Sequence, residues 1–184
     1  MDIGKPIRKL GSVDMTALQD AILSFDDQAW REEDIRQTKF NDVHNDTESL
    51  ILIFCDHDNW PKLDVVKGAS WDRLSQHAVP VMHQIIGDHY APGGTIIRAM
   101  AAKLKAGRHI ATHTDKHPSF HHGHRIHIPI TTNSKVRFMI DGRPHIMEVG
   151  EAYEINNQKR HGVLNKGDED RISFIFDYVP AQAA

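Results

Sequence analysis

Between Thr95 and Val179 the chain breaks into short extended segments punctuated by glycine, and few folds accept that rhythm. Thr95–Leu104, Arg108–Thr112, Arg125–Thr131, Val136–Ile140, His145–Glu148, Ala152–Ile155, Arg160–Leu164 and Arg171–Val179 read as strands. Ala106-Gly107, Asp141-Gly142, Val149-Gly150 and Lys166-Gly167 supply turns between most of them, because glycine enters the conformations that tight turns demand at no steric cost. Strands this short and this regularly spaced make a sandwich or a barrel.

The first half reads differently. Asp14 is placed to cap a helix reaching about Trp30, with Leu18, Ile22, Leu23 and Phe25 near helical spacing. Glu48–Phe54 is mostly aliphatic and reads as a buried strand. A second helical pattern opens at Trp71 and carries Leu74, Ala78, Met82, Ile85 and Ile86. Pro80 must kink or restart it, and Pro92-Gly93-Gly94 ends it. The expected organisation is a single domain over 1–184, with a helical support layer over about 1–94 and a β core over about 95–179.

Composition bounds the partners. The chain has 184 residues and one cysteine, Cys55, so it forms no internal disulfide, and at this length it needs none. A net charge of −3 gives no basic footprint for nucleic acid or an anionic membrane. The longest aliphatic run, Leu50 to Phe54, is far short of the roughly 20 residues that a membrane helix needs. The start, Met1 to Pro6, lacks the apolar stretch of a signal peptide. The expectation is a cytoplasmic protein with neither a nucleic-acid nor a membrane partner. One count is abnormal: 14 histidines, seven of them between His109 and His127.

Chemistry gathers in that half. In His113-Thr114-Asp115 an extended backbone turns an imidazole and a carboxylate to the same side. Alone, this is equally a polar surface strand. His161, far along the chain, is what a folded-back strand brings beside them. Two histidines and one carboxylate on one face of a metal leave the opposite positions open, the arrangement of non-haem Fe(II) oxygenases. In Arg171–Asp177, Ile172, Phe174 and Phe176 share one face, and Arg171, Ser173, Ile175 and Asp177 the other. With a turn near Lys166-Gly167, Arg171 is expected opposite His161 across a hairpin. There its guanidinium suits a bidentate grip on a carboxylate; the plain alternative is a strand-starting arginine paired with Asp168 or Glu169. In Arg125–Ile130 the isoleucines form one face, and Arg125 and His127 the other, which either meets solvent or lines a barrel and holds an anion.

The ordered set has a resemblance. Lys103-Leu104-Lys105-Ala106-Gly107, His113-Thr114-Asp115, His124 to Ile130, Gly150-Glu151, Asn156-Asn157, His161 to Asn165 and Arg171 to Asp177 resemble the aspartyl/asparaginyl β-hydroxylase family of Fe(II)- and 2-oxoglutarate-dependent oxygenases. The resemblance implies a double-stranded β-helix, that is, a jelly roll or cupin-like barrel. It implies that His113 and His161 bind iron, and that Arg171 grips the distal carboxylate of 2-oxoglutarate, with Arg125 and His127 near its other end. Some family members lack the metal-binding carboxylate; Asp115 completes the triad here. The implied reaction consumes O2 and 2-oxoglutarate and hydroxylates an amino-acid C–H. The substrate is the β-carbon of Asp or Asn in a peptide, or a free or carrier-bound amino acid.

Two other classes fit part of the pattern. A zinc or manganese cupin enzyme without redox chemistry accounts for the triad but leaves Arg171 and Arg125-x-His127 unexplained. A metal-dependent binding or sensor module fits the histidine density. The segment Lys116–Gly123 reads as a lid over the substrate, and His109, His117, His121, His122 and His124 as solvated positions rather than a second metal site. Cys55 reads as a small buried hydrophobe, and Trp30, Trp60 and Trp71 as packing residues.

Overall fold

The computed structural model describes residues 1–32, 46–55 and 60–181. The order is β1 (Ile7–Ser12), α1 (Thr16–Leu23), α2 (Asp27–Glu32), β2 (Thr47–Cys55), β3 (Val65–Lys67) and α3 (Trp71–His89). Then come β4 (Thr95–Leu104), β5 (His109–His113), α4 (Ser119–His122), β6 (His124–Thr131), β7 (Val136–Ile140) and β8 (Arg143–His145). The last strands are β9 (Glu151–Ile155), β10 (His161–Asn165) and β11 (Arg171–Val179).

The strands form two antiparallel sheets, a larger one ordered β1-β9-β6-β11-β4-β2-β3 and a smaller one ordered β5-β10-β7-β8. From β4 onward the chain passes back and forth between them. Late strands slot between early ones: β11 lies between β4 and β6, and β10 between β5 and β7. This is the double-stranded β-helix, and the fold is mainly β as expected.

Alternation along each strand divides the molecule into two cores. Ile126, Ile128 and Ile130 of β6 and Ile172, Phe174 and Phe176 of β11 pack outward, with Leu18 and Ile22 of α1 and Leu74, Ala78, Met82 and Ile85 of α3. Both phenylalanines are fully buried, worth about 1.5–3 kcal/mol each. The second core lies between the sheets, from Leu104, Val136, Phe138, Ile140, Tyr153, Ile155 and Val163. Every residue on the opposite face from those outward side chains of β6 and β11 is therefore turned into the barrel.

The first half departs from expectation. The helix expected from Asp14 to Trp30 is two helices. Asp14 Oδ1 accepts hydrogen bonds from Thr16 N at 3.1 Å and Thr16 Oγ1 at 2.9 Å. Asp26 Oδ1 then accepts from Ala29 N at 2.9 Å, the signature of a new N-cap, so the chain restarts at α2. Pro80 does not break α3, which runs on through it with the proline ring on the exposed side. The support layer is not helical alone, since β1, β2 and β3 extend the larger sheet at both edges. β8 precedes the expected His145–Glu148 segment because Asp141 and Gly142, at φ 51° and 75°, close a tight hairpin immediately after β7. Cys55 is buried, as expected. Among the described residues no helix is long and apolar enough to cross a membrane.

Candidate active site

His113 ends β5 and His161 begins β10, and the two are direct cross-strand partners in the smaller sheet. Their rings lie 4.4 Å apart between centroids. Gly162 allows this approach: a Cβ there would lie 2.7 Å from the carbonyl oxygen of Ile110. His113 Nδ1 bonds to the Ala111 carbonyl at 2.8 Å, and His161 Nδ1 to the Lys159 carbonyl at 2.9 Å. A carbonyl only accepts, so each Nδ1 carries the proton and each Nε2 presents its lone pair inward. Burial pushes the His161 imidazole below its usual pKa and favours this neutral form. Asp115, just past β5, places Oδ1 3.7 Å from His113 Nε2 and Oδ2 3.8 Å from His161 Nε2. One donor atom from each residue falls within 4.8 Å of the others, and this is the single such group of three among the described residues. Two imidazole nitrogens and a carboxylate converging on one point suit a divalent cation.

The larger sheet supplies the facing wall, where the expectation for Arg171 needs correction. Arg171 does not sit beside His161 in a hairpin. It pairs with Leu104 of β4, while β10 belongs to the other sheet. The connection between β10 and β11 is an arch across the barrel, pinned by buried Asn165. Asn165 accepts from Gly167 N at 3.1 Å and donates to the Glu169 carbonyl at 2.8 Å. Arg171 and His161 still meet, because both line one cavity together with His113, Arg125, His127 and Phe138.

Arg171 is 4% exposed, and among the described residues no carboxylate pairs with it, neither Asp168 nor Glu169. Burial pulls its guanidinium down to about 10. His127 is equally buried, and neither ring nitrogen has a hydrogen-bond partner. Burial, then Arg171 and Arg125, drives its pKa well below the usual value, so it is a neutral imidazole.

Arg125 behaves otherwise. Its Nη1 donates to Asp115 Oδ2 at 2.7 Å, and its Nε and Nη2 donate to the two oxygens of Asp177 at 2.8 Å each. Asp177 also accepts from Arg98 Nη1 at 3.0 Å. Asp177 sits directly opposite Arg125 on one neighbouring strand and Arg98 on the other. Burial raises the Asp177 carboxyl, but Arg125 and Arg98 outweigh it and hold it at about 2. The same two opposing effects leave Arg125 with a raised pKa, Asp115 contributing most. Arg98 and Asp177 escape a sequence reading; the available signal was a lone arginine inside the apolar run Thr95–Leu104.

The segment 116–124 contains α4. Phe120 lies under both guanidiniums, 4.5 Å from Arg98 and 4.4 Å from Arg125. Arg98 Nη2 donates to Ser119 Oγ at 2.9 Å, and Ser119 Oγ is 2.9 Å from His117 Nδ1. Trp60 packs on His117 and His122, at 5.9 and 5.5 Å between ring centroids. Trp30 is buried in the outer core and Trp71 packs against it.

Residues 15–180 match the family described as Aspartyl/Asparaginyl beta-hydroxylase. The chain belongs to that family. Membership makes this β-hydroxylase homologue an enzyme, a hydroxylase of the dioxygenase class. Its structure is similar to a 2OG-Fe(II) oxygenase family oxidoreductase from Burkholderia pseudomallei, at 14% identity over 92% of each chain, with a TM-score of 0.58. It is also similar to the non-heme monooxygenase ThoJ in its nickel complex, at 14% identity over 95% of this chain and 74% of that one, with a TM-score of 0.58. A third likeness is to the viral collagen prolyl hydroxylase of Paramecium Bursaria Chlorella virus-1 in complex with 2OG, at 10% identity over 97% and 98%, with a TM-score of 0.54. At such identities the likeness establishes the fold. No curated protein matches the chain.

Proposed function

We propose that the protein is an Fe(II)- and 2-oxoglutarate-dependent hydroxylase acting on an amino-acid C–H, with iron held by His113, Asp115 and His161. The observation that carries this reading is Arg171. A buried guanidinium without an acid partner is costly, and it lines the same cavity as the three donor residues. A dicarboxylate reaching from the metal to Arg171 offsets that cost through a charge-assisted fork. His127, neutral and free at both ring nitrogens, offers a donor to the same ligand, and Arg125 stands at that end through its contact with Asp115. When bound, iron with 2-oxoglutarate and O2 supplies decarboxylation of the keto acid to succinate and CO2 and delivery of one oxygen atom to a substrate C–H. The chain's own part is to turn both Nε2 atoms inward through the Nδ1 contacts to backbone carbonyls, to hold Asp115 in place, and to wall the cavity with Phe138 and Ile175 against water. The reading extends to Asp or Asn in a peptide, or to a free or carrier-bound amino acid, as the prime substrate.

The test is succinate formation from 2-oxoglutarate with Fe(II), ascorbate and O2, followed by mass spectrometry of amino acids and peptides for a gain of one oxygen. His113→Ala and His161→Ala are expected to abolish succinate formation with the circular dichroism spectrum retained. Turnover with zinc or manganese in the absence of 2-oxoglutarate would overturn the proposal.

A further inference from the structure

Arg125 stands between two carboxylates that play different parts. Asp115 faces the two histidines; Asp177 lies deeper, 2% exposed, and contacts neither. A guanidinium has two forks, the Nε–Nη2 edge and the Nη1–Nη2 end, and either can seize a carboxylate by both oxygens. Asp177 occupies the first fork fully, with 2.8 Å contacts to Nε and Nη2. Nη2 keeps a second N–H on the end-on side, but the grip of Asp177 fixes the plane and position of the guanidinium, and in that position Nη1 alone reaches Asp115, at Oδ2. Asp115 Oδ1 accepts no hydrogen bond among the described residues and stays turned toward His113. Arg98 in turn fixes Asp177 from the opposite strand.

We propose that Asp177 is a positioning residue for the metal centre: by holding the Nε–Nη2 edge of Arg125, it fixes that guanidinium in the orientation that makes a single contact on Asp115 and so keeps Oδ1 available to the metal. The proposal rests on the assignment of His113, Asp115 and His161 as metal ligands. It also explains how a site can keep an arginine against a metal-binding carboxylate. The negative charge of Asp177 balances Arg125, so the arginine orients Asp115 without competing for it. Without Asp177, the guanidinium is free to turn its end-on fork onto both Asp115 oxygens and withdraw them.

The experiment is Co(II) titration of the full chain without substrate, followed by visible absorption, for the wild type, Asp177→Asn, Arg125→Gln and the double variant. Asp177→Asn is expected to weaken Co(II) binding about 10- to 100-fold, the usual range for groups that orient a ligand. Adding Arg125→Gln to it is expected to restore most of the affinity, because the competitor is gone. An Asp177 needed only for folding predicts no such rescue, so an equal loss with and without Arg125 overturns the proposal. If Asp177→Asn fails to fold, Asp177→Glu keeps the charge but cannot meet both nitrogens at the same place, and a smaller loss is expected. Wild-type affinity in the folded Asp177 variants also overturns the proposal while leaving the metal site intact. Failure of the wild type to bind Co(II), or unchanged binding by His113→Ala, instead overturns the ligand assignment and the function built on it.

Discussion

Arg171 and Asp177 lie on the same inner face of β11, six residues apart, and show how neighbouring buried charges acquire opposite roles. Asp177 is compensated twice; Arg171 is not compensated by any described carboxylate. Replacing Arg171 with the apolar Met removes a buried, unpaired cation. The expected result is a thermal midpoint at or above that of the wild type, together with a rise in the 2-oxoglutarate requirement. Losing a charge-assisted fork costs on the order of 1.5–3 kcal/mol, or roughly 10- to 150-fold. Succinate formation against 2-oxoglutarate concentration measures the second effect, and an unchanged requirement would show that Arg171 binds something else. Asp177 is expected to act in the other direction. Its folded pKa, about 2, lies below the unfolded value near 3.8. The stability it contributes is therefore complete above the unfolded value and disappears as pH falls through about 2, amounting to about 2 kcal/mol. Urea unfolding between pH 4 and pH 2 should show a shallower decline for Asp177→Asn than for the wild type, from a lower starting stability. Parallel profiles would count against the assignment.

At the scale of elements, the meeting of β5 and β10 governs the proposed metal site. Gly162 sits where a side chain would strike the backbone of β5, 2.7 Å from Ile110 O and 3.2 Å from Thr112 Cα. Backbone cannot yield as a flexible side chain can, so Gly162→Ala must push β5 away and carry His113 with it. The expected phenotype is loss of Co(II) affinity and of succinate formation while the β-rich circular dichroism spectrum persists. Full metal affinity in the variant would mean that the two strands tolerate a wider spacing. This contact was invisible in the sequence, where Gly162 is one small residue after a histidine. His113, Asp115, His161 and Arg171 could be singled out as candidates because their order and spacing suggest chemistry before any fold is known, and the structure brings them together. Arg98 could not, because only the register of β4 against β11 places it opposite Asp177. Alternation, and the strand count from Thr95 onward, were equally readable, since period-two patterning decides which side chains share a face; β1 and β3 were not read as strands. Assignment of a strand to a sheet was not. The link from Asn165 to Arg171 looks like a hairpin turn until the Asn165 side chain, bonding within its own loop, closes it as an arch.

For the whole molecule, the division of labour between the sheets has a thermodynamic consequence. The proposed metal ligands belong to the smaller sheet and the loop that leaves it; Arg171 and His127 belong to the larger one. A cation alone therefore ties together groups that already share a sheet. Under the proposed function, a keto acid alone would have Arg171 and His127 to hold it but no metal at its other end, and only the two together would link the walls of the barrel across the cavity. Binding to the folded state alone stabilises by RT ln(1 + [L]/Kd), about 2.7 kcal/mol at a hundredfold excess over Kd. If each ligand strengthens the other's site, the stabilisation by the pair must exceed the sum of the separate effects, and the coupling is reciprocal. Thermal unfolding under anaerobic conditions, with Co(II) in place of iron to prevent turnover, is the measurement. A modest rise is expected with Co(II), little change with 2-oxoglutarate, and a rise greater than their sum with both. In Arg171→Met the excess should vanish while the rise with Co(II) alone remains, because the metal ligands are untouched and only the attachment to the larger sheet is lost. Strictly additive shifts in the wild type would mean that 2-oxoglutarate does not bridge the sheets.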